Sequence, residues 1–450
     1  MGNIYSYLKN LFQEISRESK NNVSFFFLTL FIISIPLPLG INNACLILFL
    51  LSLLFDYKAL QFTFSKRTLF PILLFVLASV SYFWSVDKQL TIKDLPRNSY
   101  LLLIPLAFLF CGTWIKEVKV KLLKYYSYSI VAYVFFYLIR AIIKYIYLKD
   151  IRVFYYHGEY DDDFGLVPKS LNAIHMSVFV SLAYFYFLIK EYKTRINKAI
   201  IVFLMCFIFL LSSKNIILVF IFLNLVYYFF YTKLANKMRI RNLLVFIVII
   251  GTFLFYGNIK QRFSEEFKTN KKESIAPSVL ERKPENVVNY VSIKEAWSNQ
   301  MFTPNDFFSG TAFRVYQLRL FFDFQKENAI FWTGFGQNAS GPKLEAKGIE
   351  YNVFLGNNDN EGYQNKNFHN QYIQTFAELG FLGFLILLTM LLLSIKKGFE
   401  KKDFIHIVFT FLMISLFLTE SFLTRQRGIV FFSIFYCLFN LESKKILIKK

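Results

Sequence analysis

Apolar runs close to the length of a bilayer crossing recur along almost the whole chain, and they limit its possible folds more than any other feature. Hydrocarbon offers no partner to a bare peptide group, so repeated crossings must be made by helices or by a closed barrel. Runs this continuous read as helices. About twelve can be drawn, near 23–40, 42–55, 68–84, 96–111, 124–147, 171–189, 199–213, 215–231, 242–256, 371–394, 404–419 and 428–441. With 55% hydrophobic and 20% aromatic residues, 57 of them Phe, a soluble domain of 450 residues would lack polar surface. The N-terminus shows no signal-peptide pattern, so the run beginning near Val23 reads as a retained helix. The expected fold class is an all-α polytopic membrane protein of about twelve transmembrane helices with one large loop.

The formal charge of +21 invites a nucleic-acid reading, but its placement excludes one. Alternate loops collect the cations. Lys9, Arg17 and Lys20 lie on one side, with Lys116, Lys119 and Lys121, then Lys190, Lys193, Arg195 and Lys198, then Lys396, Lys397, Lys401 and Lys402. The opposite short loops hold little beyond Lys88, Lys93, Lys149, Arg152, Lys169, Arg425 and Arg427. Such a bias puts both termini in the cytoplasm and brings the basic side against anionic lipid head groups. Cys45, Cys111, Cys206 and Cys437 fall in or beside apolar runs without metal-ligand spacing and read as packing residues.

The runs divide the chain into an N-terminal bundle over 1–256 (about nine spans), a long polar loop over 257–370, and a C-terminal bundle over 371–450 (about three spans). The alternation places the loop outside the cytoplasm, and loops of this length are functional or disordered. Lys268 to Asn289 is rich in Lys, Glu, Ser and Pro and reads as flexible. The stretch from Thr311 to Phe324 is amphipathic, with Ser309 or Thr311 as its N-cap. Gly334-Phe335-Gly336 then breaks the chain, and His369-Asn370 opens a helix that runs into the next span.

That last junction sets the chemistry. A helix start carries unpaired N–H groups and partial positive charge, which attract phosphate and favour a neutral, base-competent histidine. Outside the cytoplasm no nucleotide sugar is at hand, so a transferase there needs a donor that carries its own activation. A polyprenyl diphosphate sugar is such a donor. Its reaction asks for cations on the phosphates and a base on the acceptor hydroxyl. Arg314 suits the first task, with Lys214 as a second cation, and His369 suits the second. Each has a plainer reading: a snorkelling anchor for Lys214, a solvated helix face for Arg314, a capping or core residue for His369. Arg319, Arg425 and Arg427 read as interface charges, the last two on the outer side. His175 begins a span there, and Arg140 and Lys144 read as snorkelling cations near a span's outer end. Asp161-Asp162-Asp163, beside His157 and Glu159, would suit a divalent cation, but reads better as a hydrated acidic turn.

The order Ser309-Gly-Thr-Ala-Phe-Arg314, Gly334-Phe-Gly336, His369-Asn370-Gln-Tyr-Ile and Glu378-Leu-Gly380-Phe-Leu-Gly383 resembles the O-antigen ligase and O-antigen polymerase superfamily. Ser212-Ser-Lys214 is similar to that family's serine followed by a cation in an earlier span, with lysine where arginine is usual. Leu318 stands where the family often has tryptophan. The resemblance implies a GT-C-like membrane fold in the bacterial inner membrane and a metal-independent transferase without cofactor. The donor would be undecaprenyl-diphosphate-linked glycan and the acceptor a lipid A core or another glycan. By the same resemblance Arg314 and Lys214 hold the diphosphate and His369 activates the acceptor. Arg319, His175, Asn370, Gly334, Gly336, Arg425 and Arg427 complete the expected binding set. Ligase ranks first, because a single large loop precedes His369. Polymerase and protein O-glycosyltransferase follow. A transporter or scaffold ranks below these, since paired halves with buried mid-membrane charges are absent from the sequence.

Overall fold

The computed structural model describes residues 13–20, 22–55, 60, 62–155, 164–255, 289–357 and 361–441. Nine helices are labelled before the long connection: α1 (Val23–Ile33), α2 (Leu39–Phe55), α3 (Leu69–Val80), α4 (Lys88–Asn98), α5 (Tyr100–Leu148), α6 (Ala173–Leu188), α7 (Arg195–Leu210), α8 (Lys214–Val226) and α9 (Asn236–Phe255). The loop contributes β1 (Asn289–Val291), α10 (Ile293–Ser298), β2 (Asp306–Phe308), α11 (Gly310–Glu327) and α12 (Gly341–Glu350). Then follow α13 (Gln371–Glu400), α14 (Phe404–Thr419) and α15 (Gln426–Asn440).

Polar residues set just before apolar runs start these helices. The Asn22, Thr194 and Asp403 side chains accept from the N–H groups of Phe25, Asn197 and His406, respectively, satisfying first-turn donors that have no helical partner. Four segments are long and apolar enough to cross a membrane: Lys88–Gly112, Trp114–Leu148, Lys214–Tyr231 and Gln371–Glu400. Further apolar helices, α1, α2, α6 and α14 among them, are shorter. The chain is a helical membrane protein whose described strands are β1 and β2 alone.

Two runs read as separate spans, 96–111 and 124–147, lie within α5 and its entry, and the intervening residues 112–123 are helical too. The chain nevertheless reverses there. Tyr100 bonds Gln426, Gly112 lies against Leu441, Lys119 sits over the Phe439 ring and Tyr126 meets Phe435. The partners thus run along the last helix and back again, and Lys88–Gly112 and Trp114–Leu148 are separate candidate spans. The cations of the reversal are neutralised from elsewhere, Lys119 by Asp403 (2.8 Å) and Lys121 by Glu18 (2.5 Å).

Nearly every residue of α6 and α15 is buried, as expected of helices apolar on all sides at a bundle's centre. Aromatic rings fill the space where they meet α5. Tyr126 lies 4.8 Å from Phe435 and Phe179 4.8 Å from Phe431, while the Tyr126 hydroxyl donates to the Phe179 carbonyl (3.0 Å). The loop builds a second, smaller core. Strands β1 and β2 pair in parallel, Tyr290 opposite Phe307, and Phe302, Phe308, Tyr316, Phe324, Phe335 and Phe368 gather around α11.

Candidate functional site

The end of α14 and the residues after it, Leu418 to Glu420, form a corner on which three elements converge. Helix α11 brings Arg314. Ser309 caps that helix by accepting from the Ala312 N–H, and Arg314 falls in its second turn. Its Nε donates to the Thr419 carbonyl (2.9 Å) and its Nη1 to the Gly310 carbonyl (2.9 Å). Nη2 lies 3.5 Å from Glu420 Oε1.

The second element is the start of α13. Asn370, not His369, is the N-cap: its Oδ1 accepts from the Ile373 N–H (3.1 Å) and its Nδ2 donates to the Leu418 carbonyl (3.2 Å). Both ends of the amide are therefore used in tying α13 to the corner. His369 stands one residue outside the helix in the left-handed region, at φ 46°, which costs of order 1 kcal/mol or more for a residue with a Cβ. The Asn367 side chain, accepting from the His369 N–H (2.9 Å), helps hold it there. The imidazole meets the edge of Phe313 at 5.5 Å, and its Nδ1 lies 3.5 Å from Glu420 Oε2. A carboxylate facing Nδ1 favours the proton on that nitrogen and leaves Nε2 as the acceptor.

The third element is the start of α8. Asn215 donates to the Ser415 carbonyl and the Thr419 hydroxyl (2.8 Å each) and accepts from the Ser415 hydroxyl (2.7 Å). Lys214, the first residue of α8, is thereby anchored beside the same corner. The corner thus joins a guanidinium, an imidazole, a helix start carrying an ammonium, and one carboxylate between the first two. Such a set suits an anionic ligand and a proton transfer.

The other expected residues lie apart from it. Gly334 and Gly336 (φ 69° and 100°) form a latch against the break in α13 at Gly380 (φ 67°). The Phe335 N–H donates to the Ala377 carbonyl (2.8 Å), the Gly336 N–H to Glu378 (2.9 Å) and the Phe381 N–H to Phe331 (2.7 Å). A Cβ on Gly334 would stand 2.3 Å from the Glu378 carbonyl carbon, so this latch admits only glycine. Arg319 is turned into the loop's own core. It donates to the Asn299 carbonyl, lies 3.7 Å from Asp323 and sits over the Tyr351 ring. Arg427 braces two turns through the carbonyls of Ser170 and Leu37. His175 is buried at the start of α6 with its ring 4.4 Å from Phe422, behind the corner. Arg425 faces the loop. A hydrogen bond and charge from Lys366 hold the Glu361 carboxyl below its ordinary range, and Lys169 and Arg425 add to that.

The principal residue that sequence reasoning missed is Glu420. Its signal was available: it is the one acidic residue between Asp403 and Glu442, and it ends an apolar run at the level of His369. Asn215 and the buried Gln374–Ser340–Glu378 hydrogen-bond network behind the latch carried no such signal. Asp161 to Asp163, with His157 and Glu159, lie outside the described residues. Among the described residues no three His, Cys, Asp or Glu side chains are grouped as a metal site would require.

Residues 199–388 match the family model described as O-antigen ligase, a span that contains Lys214, Arg314, Glu378 and His369. Glu420 lies beyond its end. No curated protein matches the chain significantly.

Proposed function

We propose, for a chain that residues 199–388 place in the O-antigen ligase superfamily, that it moves a glycan from undecaprenyl diphosphate to a lipid A core acceptor. The proposed setting is the outer face of a bacterial inner membrane, with about twelve spans, both termini cytoplasmic and the 257–370 loop outside. One observation carries this reading: Arg314, from the middle of the loop, and His369, from its end, both reach Glu420. The acceptor hydroxyl attacks the anomeric carbon of the donor sugar and gives its proton to His369 Nε2. The bond between that carbon and the diphosphate oxygen breaks, and the diphosphate leaves with the electron pair, held by Arg314 and Lys214. Glu420 keeps the imidazole oriented and stabilises it once protonated. In the structure Glu420 also occupies the Arg314 side on which an incoming phosphate would compete.

Arg314, Lys214 and the start of α8 require no metal to neutralise a diphosphate, so chelation should leave transfer unchanged. Loss of activity with EDTA, restored by Mg²⁺, would move attention to Asp161 through Asp163. The decisive experiment complements a deletion strain with wild type or with His369→Ala, and reads lipopolysaccharide alongside the carrier-linked glycan pool. Long chains missing from lipid A and accumulating on the carrier support a ligase with His369 as its base. Single repeat units on the carrier would make it a polymerase. Unchanged pools would leave protein glycosylation or transport.

A further inference from the structure

The loop domain exposes large apolar side chains in a connected band rather than singly. Trp297, Met301 and Phe322 lie at one end of it, Phe331 and Trp332 at the other, with Trp332 70% and Met301 66% exposed. Ring contacts link the two ends. Trp297 meets Phe322 at 6.0 Å, and Phe322 abuts Phe321, which packs 5.2 Å from Phe376. Phe376 meets Phe331 at 5.5 Å, and both Phe331 and Trp332 pack on Phe381. In a water-exposed lobe such a band would be costly, and bands of this kind mark interaction sites.

Its lower end identifies the occupant. Phe381 begins the part of α13 that follows the Gly380 break, on a segment long and apolar enough to cross a membrane. Below it Leu382, Leu385 and Leu392 are exposed at helical spacing, the outer stripe of that segment. Helix α3, packed beside α13, carries a second stripe, Leu73, Val76 and Val80, which ends on Phe83 (76% exposed). The next residue, Trp84, donates from Nε1 to the Thr333 carbonyl (2.8 Å), beside Trp332. Two faces that lie against lipid in a membrane protein therefore converge on Trp332, and ring contacts through the half-buried Phe376 and the buried Phe321 join that end to Phe322 and Trp297. Lys326, one turn past Phe322 on the same side of α11, is exposed and placed to snorkel into head groups.

We infer that the loop domain is partly sunk in the bilayer, with Trp297, Met301, Phe322, Phe331 and Trp332 seated at the boundary of head groups and acyl chains in the leaflet on its own side. Indole rings favour that depth, apolar in body with an N–H that can stay hydrated. The inference is independent of the reaction catalysed. It would hold the 289–369 segment, and the Arg314 and His369 it carries, at a fixed height above the hydrocarbon.

The test uses the full chain reconstituted in phosphatidylcholine–phosphatidylglycerol vesicles, with or without phosphatidylcholine brominated near the glycerol end of its acyl chains. Wild type is compared with the Trp297→Phe/Trp332→Phe variant, in which two exposed rings are replaced by smaller ones and the fold is preserved. The difference in their emission reports those two indoles alone. That difference should be largely lost in brominated vesicles and unaffected by aqueous iodide. A difference signal unmoved by brominated lipid overturns the inference. Quenching by iodide would then place the rings in water, and protection from both quenchers would place them under a second copy of the chain.

Discussion

The two ends of α14 present similar side chains to opposite fates. At the start of the helix, Asp403, His406 and Ser394 supply the inventory of a hydrolytic triad. His406 Nε2 lies 2.9 Å from Ser394 Oγ, but Asp403 accepts from the His406 backbone N–H rather than from the ring, and it pairs with Lys119. Ser394 is also bonded to Thr410 (2.9 Å) and Asn440 (3.0 Å), the imidazole stacks on Phe439, and the His406 residue is 1% exposed. At the other end His369 keeps 29% of its side chain exposed and leans through Nδ1 on one carboxylate, which Arg314 also approaches. Residue type does not separate these clusters. What separates them is whether the polar atoms are consumed by the fold, as buried groups must be, or left for a ligand.

The sharpest way to break this contrast is to remove each histidine in turn. His369→Ala should abolish transfer, a loss of about 10²–10⁴-fold for a general base, with insertion and melting temperature near wild type. His406→Ala should do the reverse: transfer per folded molecule is kept, and stability falls by roughly 1–3 kcal/mol because Ser394 loses a buried hydrogen-bond partner and Phe439 its stacked ring. Equal activity loss in both variants would end the distinction. Arg314→Lys should lower transfer by about 10–100-fold, since an ammonium cannot reproduce the fork that reaches Thr419 and a phosphate together. Glu420→Gln should cost about 10-fold in transfer through the lost carboxylate that orients the imidazole. Unchanged transfer would leave Glu420 as a strut for the corner.

Much of this was legible in the sequence, for reasons that differ by residue. The helices were, because bilayer-length apolar runs and polar caps such as Asn22 and Asp403 act locally. Lys214 and His369 stood out as candidates because a cation and a histidine at the ends of apolar runs are rare, and Arg314 because it lies on an amphipathic stretch of the polar loop. The inner cluster did not, since Ser394 and His406 look like ordinary residues inside a span until their partners are known. Arg319 was read as an interface charge with a place in the binding set, and its inward turn was hidden: it lies five residues from Arg314 on one helix, and the packing of Tyr351 and Asp323 sets its direction. The glycine turn was visible as a break but not as a latch. Its function depends on Glu378 and Gly380, about forty residues on.

The smallest expected effect fixes where the outer site stops. Glu361 sits on the loop above Arg425, bonded to Lys366 at 2.5 Å and largely exposed. Its carboxyl is held low, first by the Lys366 hydrogen bond and charge and then by Lys169 and Arg425. A depressed carboxylate contributes stability that is fully present above its unfolded-state pKa and is lost as pH falls through the folded one. Solvent screening keeps that contribution to a few tenths of a kcal/mol. Glu361→Gln should therefore leave transfer unchanged at neutral pH and remove only a slight acid-side loss of stability in a melting series. A drop in transfer as large as that of Arg314→Lys would mean that the Arg425 side of the 420–425 connection contacts substrate. The site would then extend from the corner at Glu420 across to the loop.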